Sequence, residues 1–178
     1  MTNTNNIVFK CLQIVAWIIF VGLSIEAGAL LVNFIISIYN PAFVGNLYEK
    51  LDLSRMYLSN KWIFFGVYSF ILCIAILKAH LFYVVIVLLT KLDLAKPFNA
   101  FVSGQITKIS YYTFSIGLIS LIGRQNARSM THYDFDASPL DRFWGDGQAF
   151  MIMAAIIYVI ATIFKKGVSL QEENDLTV

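Results

Sequence analysis

Residues 62–89 read WIFFGVYSFILCIAILKAHLFYVVIVLL, an apolar run in which Lys78 and His80 are the only basic side chains and no acidic one occurs. A bilayer core about 30 Å thick is crossed by roughly 20 residues of helix, so this run can span it with residues to spare. In hydrocarbon every backbone N–H and C=O must bond within its own segment, which selects helix at this length. The period-two alternation of a membrane barrel is absent.

Three more stretches repeat the pattern on either side. Upstream, residues 13–38 are apolar and stop at Asn40 and Pro41, a turn pair. Downstream, residues 101–123 and 149–164 follow, the last closed by Lys165, Lys166 and Gly167. The expected fold is all-α: a single integral membrane domain over residues 1–178, a bundle of four transmembrane helices. The first stretch exceeds the apolar region of a signal peptide, and no small-residue cleavage site follows it, so it is expected to persist as a span. Phe143 and Trp144 are suited to seating the outer end of the fourth.

Composition agrees. Of 178 residues 58% are hydrophobic and 13% charged, about half the charged share of a soluble domain. A formal charge of +2 with no basic patch beyond the span flanks gives no footprint for direct nucleic-acid binding. Cys11 and Cys73 lie in apolar segments without metal-ligand spacing and read as small buried hydrophobes.

An even number of spans puts both termini on one side. Lys10, Lys91, Lys96, Lys165 and Lys166 flank the spans there; Lys50, Arg55, Lys61, Arg124, Arg128 and Arg142 lie opposite. The counts nearly tie, but the first group is packed into short segments at helix ends, where positive charge orients a protein most strongly. Both termini are therefore expected in the cytoplasm. Two loops of some twenty residues face outward, and a short hinge, residues 90–99, makes the second and third spans antiparallel neighbours.

Ionisable residues inside spans are the candidate functional groups, because a charge in the bilayer centre costs at least ~2.5–3.5 kcal/mol. Glu26, Lys78 and Lys108 lie at estimated depths of about 18, 16 and 13 Å from the inner face at ~1.5 Å per residue. They can form an ion pair or triad within the bundle. Alternatively Lys108 snorkels to the interface along its own stem, and even a true cluster can be structural. His80 points to a different helix face from Lys78 and reads as a packing residue. Gly22, Glu26, Ala29 and Asn33 form one stripe at helical spacing. Gly104, Lys108, Tyr111 or Tyr112, and Ser115 form another, of the kind that lets membrane helices approach.

The outer segment 133–142 contains Asp134 and Asp136, a weak cation signal without calcium-loop spacing. No Gly-rich phosphate cradle, nucleophile elbow, paired His or CxxC is present. No enzyme activity, metal or cofactor is expected.

The chain closes GVSLQEENDLTV (residues 167–178), leaving the membrane through two lysines and turning acidic at once. Leu170, Leu176 and Val178 are apolar for a free cytoplasmic tail. Read with Lys96, Pro97 and Phe98 ahead of the third span, this ending resembles the bacterial membrane family called domain of unknown function 2975 (DUF2975). The resemblance implies a chain of this size with four spans in the bacterial inner membrane. It also implies a neighbouring small helix-turn-helix regulator of the Cro/C1 type as partner. A docking face would then comprise Lys96, Pro97, Phe98, Gln171, Glu172, Glu173, Asn174, Asp175 and Leu176. The resemblance assigns no role to Glu26, Lys78 or Lys108. The first functional expectation is a sensor or anchor working with such a regulator. The alternatives are a small transporter or channel subunit built on the three charges, and an accessory subunit of a larger membrane complex.

Overall fold

A computed structural model describes residues 3–48, 51–93, 97–129 and 138–175. Its main elements are α1 (Asn3–Tyr39), α2 (Ser54–Ser59), α3 (Lys61–Lys91), α4 (Ala100–Ser129), α5 (Asp141–Trp144) and α6 (Gly147–Asp175). The four long helices α1, α3, α4 and α6 are each long and apolar enough to cross a membrane. The chain is an all-α, multi-pass integral membrane protein.

The helices outrun the apolar stretches. At 1.5 Å per residue α1 is about 55 Å long, well beyond a hydrocarbon core of about 30 Å. Residues 167–175 continue α6 and do not form a separate tail.

Caps explain the boundaries. The Asn40 side chain accepts the Ala42 N–H at 3.2 Å, with Pro41 opening the 3₁₀ turn Pro41–Asn46. Asn60 caps α3 by accepting the Trp62 N–H at 2.9 Å, and Asn99 caps α4 by accepting the Val102 N–H at 2.9 Å. Pro97 sits two residues ahead of that cap, where it has no helical N–H to withhold.

Packing follows chain order: α1 lies on α3, α3 on α4, and α4 on α6, so α1 and α6 occupy opposite flanks. On α1, Ala16, Phe20, Leu23, Ala27, Leu30, Phe34 and Ser37 recur in steps of four and three and turn inward. That 3.5-residue period is the seam of a left-handed helix pair. The α4–α6 pair is built from small residues every seven positions. Ser103, Ser110 and Gly117 on α4 meet Gly147, Ala154 and Ala161 on α6, all buried. The Ser110 hydroxyl donates across the pair to the Ala154 carbonyl at 3.1 Å. A Cβ at Gly117 would lie 3.0 Å from the Met151 backbone nitrogen, so the close approach requires glycine there.

Of the two small-residue stripes expected from the sequence, the α1 stripe packs in part, with Ala29 and Asn33 half-buried and Asn33 hydrogen-bonded to Tyr68 of α3, and the α4 stripe is not the seam with α6. Gly22 and Gly104 have nothing within 4 Å of an added Cβ, and Lys108 and Tyr111 are exposed. The true α4 seam runs one position away from the expected one, on Ser103 and Ser110. Cys11 and Cys73 are exposed, not buried; in lipid, an outward thiol is simply a small apolar group. Ile18, 67% exposed on α1, makes the same point. An apolar face of this extent is stable only against hydrocarbon or a partner.

A core of large side chains lies where the two long loops fold over the helices. Leu47 and Leu51 bridge through the Leu47 N–H to the Leu51 carbonyl at 3.0 Å. Val44, Leu53, Met56 and Tyr57 from the first loop and Leu140, Phe143 and Trp144 from the second bury against Phe64, Val67 and Tyr68 of α3. The Arg142 guanidinium donates to the Tyr48 carbonyl at 3.4 Å, tying one loop to the other.

Candidate functional site

At the opposite end, which carries both termini, the hinge and the end of α6 meet. Gln13 donates to the Thr90 hydroxyl at 3.0 Å, joining the start of α1 to the end of α3. The Phe98 ring packs on Phe164 with centroids 5.1 Å apart. It also fills the notch at Gly167, where a Cβ would come within 2.5 Å of the Phe98 ring. Glycine inside a helix costs roughly 1 kcal/mol against alanine, and here the ring seat accounts for its presence. The Pro-Phe hinge and the Gly that opens the closing segment, which the sequence sets apart, are therefore in contact.

Beyond the notch α6 carries Gln171, half-buried, and Glu172, Glu173 and Asn174, all exposed. Pro97 is half-buried. Asp175 ends the helix. Lys96 and Leu176 lie outside the described residues.

A groove of about 590 Å³ opens between the terminal-end halves of α4 and α6, lined by Ser103, Thr107, Lys108, Lys165, Ser169 and Glu172 among others. A smaller groove of about 260 Å³ lies between α3 and α4, with His80, Gln105, Lys108 and Tyr112 on its walls. His80 is exposed and its ring packs on Tyr112 at 4.7 Å.

The three intramembrane charges are not brought together. No ion pair joins Glu26, Lys78 and Lys108 to one another; among the described residues the pair that forms is Arg124 with Asp141 at 3.9 Å. Similar depths along the spans do not fix the lateral order of the helices. Glu26 is on flanking α1, whose main partner helix is α3. Lys78 is half-buried with its ammonium 5.7 Å from the Phe150 ring centroid, a cation–π contact that supplies an electrostatic partner without a counter-charge. Lys108 is exposed on the wall of both grooves.

At the loop end Asp52 accepts the Ser54 N–H at 2.9 Å. Hydrogen bonds from the Ser54 hydroxyl and N–H hold its carboxyl below the usual aspartate range. Asp134 and Asp136, the weak cation signal, lie outside the described residues.

Sequence reasoning missed two things here. One is the α4–α6 groove, on whose wall Lys108 and Lys165 both lie. The other is the loop-end core, signalled by Val44, Leu47, Leu51 and Leu53 inside a segment otherwise read as a solvent-facing loop. The model of a family described as "Protein of unknown function (DUF2975)" matches residues 46–178. No curated protein and no solved structure matches the chain.

Proposed function

The chain belongs to the DUF2975 family of proteins of unknown function, and on that premise we propose that it is a membrane anchor presenting a docking face to a small cytoplasmic regulator. In this reading the bundle lies in the bacterial inner membrane with both termini in the cytoplasm. The face comprises the Pro97–Phe98 hinge and the end of α6 from Gly167 onward. The observation that supports it is the seat of Phe98 in the Gly167 notch. That contact fixes a helical, acidic projection at a set angle above the membrane surface, where a free tail would sample many. A rigid projection carries a lower ordering cost on binding than a flexible one.

The partner class is the small helix-turn-helix regulator that the resemblance implies. An acidic projection cannot itself hold DNA phosphates, so it suits binding a basic protein and competing with its nucleic acid. Transport is the weaker reading. The two grooves lined by Lys108 include neither Glu26 nor Lys78, so these charges do not mark a shared path.

The test is co-purification of the regulator encoded beside this chain, from membranes. The intact chain retains it. Truncation after Lys166 and Phe98→Ala each release it, while helicity and elution volume in detergent stay unchanged. Retention by both variants contradicts the anchor reading.

A further inference from the structure

The α4–α6 groove continues toward the middle of the bundle as a second, almost wholly apolar hollow of about 430 Å³ lined by Tyr111, Phe114, Met151, Ala155 and Tyr158 among others. The two hollows share one face of the helix pair. On α4 their walls recur at Gly104, Thr107, Tyr111 and Phe114; on α6 at Glu172, Lys165, Tyr158 and Met151. These steps of three, four and seven keep one helix face. The order along the groove is therefore chemical as well as spatial. Lys165 stands at the outer part of the groove and Lys108 about 12 Å deeper, by the register of the Ser110–Ala154 and Phe98–Gly167 contacts at 1.5 Å per residue. Because Cα–Cβ bonds tilt toward each helix's N-terminus and the helices are antiparallel, the two side chains lean toward each other. Tyr158 lies between them, and Ala155, Tyr111, Met151 and Phe114 follow inward.

The geometry points to a binding site for an anionic phospholipid, its phosphate held between Lys108 and Lys165 and one acyl chain lying along the apolar hollow. Charge complementarity commits the groove to this occupant. A neutral lipid leaves the two ammonium groups of one groove without a counter-ion, and another apolar helix leaves them in a dry contact. Glu172, the remaining charged wall residue, sits seven positions beyond Lys165 on α6, about 10 Å further out at 1.5 Å per residue, clear of the phosphate level. The inference does not depend on the anchor reading, whose face is the Phe98–Gly167 seat.

The experiment reconstitutes the full chain in nanodiscs of equimolar phosphatidylglycerol and phosphatidylcholine. It then extracts the protein in mild detergent and measures the lipid it retains by mass spectrometry. Wild type retains phosphatidylglycerol in preference. Lys108→Gln and Lys165→Gln each lower that preference about five-fold, the value of one lysine near an anionic surface. Lys166→Gln, next in sequence but off the groove wall, leaves it unchanged. Ala155→Trp fills the apolar hollow without altering charge and lowers retention of both lipids; inorganic phosphate does not compete. Equal retention of the two lipids by wild type overturns the proposal, as does an equal loss in Lys166→Gln, which reports a general surface field. A chain that is dimeric until Ala155→Trp makes it monomeric, with lipid retention unchanged, gives the groove to a second copy and also overturns it.

Discussion

The loop end and the α4–α6 seam of this bundle are packed by opposite means. At the loop end large side chains, Leu53, Leu140, Trp144 and Phe64, are sealed from solvent at 0–2% exposure. Along the seam the buried groups are Ser103, Ser110, Gly117, Ala154 and Ala161. The difference follows from the solvent. Loops that face water gain from removing apolar area, so they recruit the largest side chains available. Helices already in hydrocarbon gain nothing by that route; they associate through close backbone approach and hydrogen bonds, for which small residues serve best.

The largest way to break this contrast is at the loop end. Trp144→Ala is expected to destabilise that core by roughly 3–5 kcal/mol, the usual range for truncating a buried tryptophan. Amide exchange should accelerate in residues 41–59 and 138–146, while the seam residues keep their protection. At the seam, Gly117→Leu drives a side chain into Met151 and should cost roughly 1–3 kcal/mol, the typical range for overpacking. Thermal unfolding in detergent should fall accordingly, with faster exchange in α6 and an unperturbed loop end.

How far the sequence disclosed this architecture depends on the same contrast. Apolar runs report which solvent a helix lives in, so residues 62–89 declared their span directly. They do not report which face meets a neighbour, because lipid-facing and helix-facing residues are equally apolar. Cys73 and Gly104 were therefore read inward and point outward. Lys108 lay at a depth compatible with Glu26, yet lateral order separates them. In the loops the reverse failure occurred. Val44, Leu47, Leu51 and Leu53 are too few and too interrupted by Gly45, Asn46 and Asp52 to register as an element, and only their assembly with Leu140 and Trp144 makes a core. At the hinge and the α6 end the sequence sets Phe98 and Gly167 apart without pairing them; the structure fits the ring into the glycine gap, and residues 167–175 extend α6 where a tail is expected.

A finer probe of the seam is Ser110→Ala, which removes the hydroxyl bond to the Ala154 carbonyl. Interhelical bonds in membranes average about 0.6 kcal/mol, so a small drop in melting temperature is expected; a drop as large as that of Gly117→Leu would mean the bond, not the close approach, holds α4 to α6. The smallest effect lies at the start of α2. The depressed carboxyl of Asp52 contributes stability that is fully present above the ordinary aspartate value and is lost as pH falls through its lower folded value. Acidification should raise exchange at Ser54 and Arg55 in wild type more than in Asp52→Ala, measured at matched temperature.

The most direct test uses a denaturant confined to water. With the chain held in lipid nanodiscs, urea is titrated while amide exchange is followed by segment. Two separate transitions are expected: the loop-end residues 41–59 and 138–146 lose protection first, and the α4–α6 seam retains it to much higher urea. A single transition in which both segments open together would contradict the view that water packs one region and hydrocarbon the other.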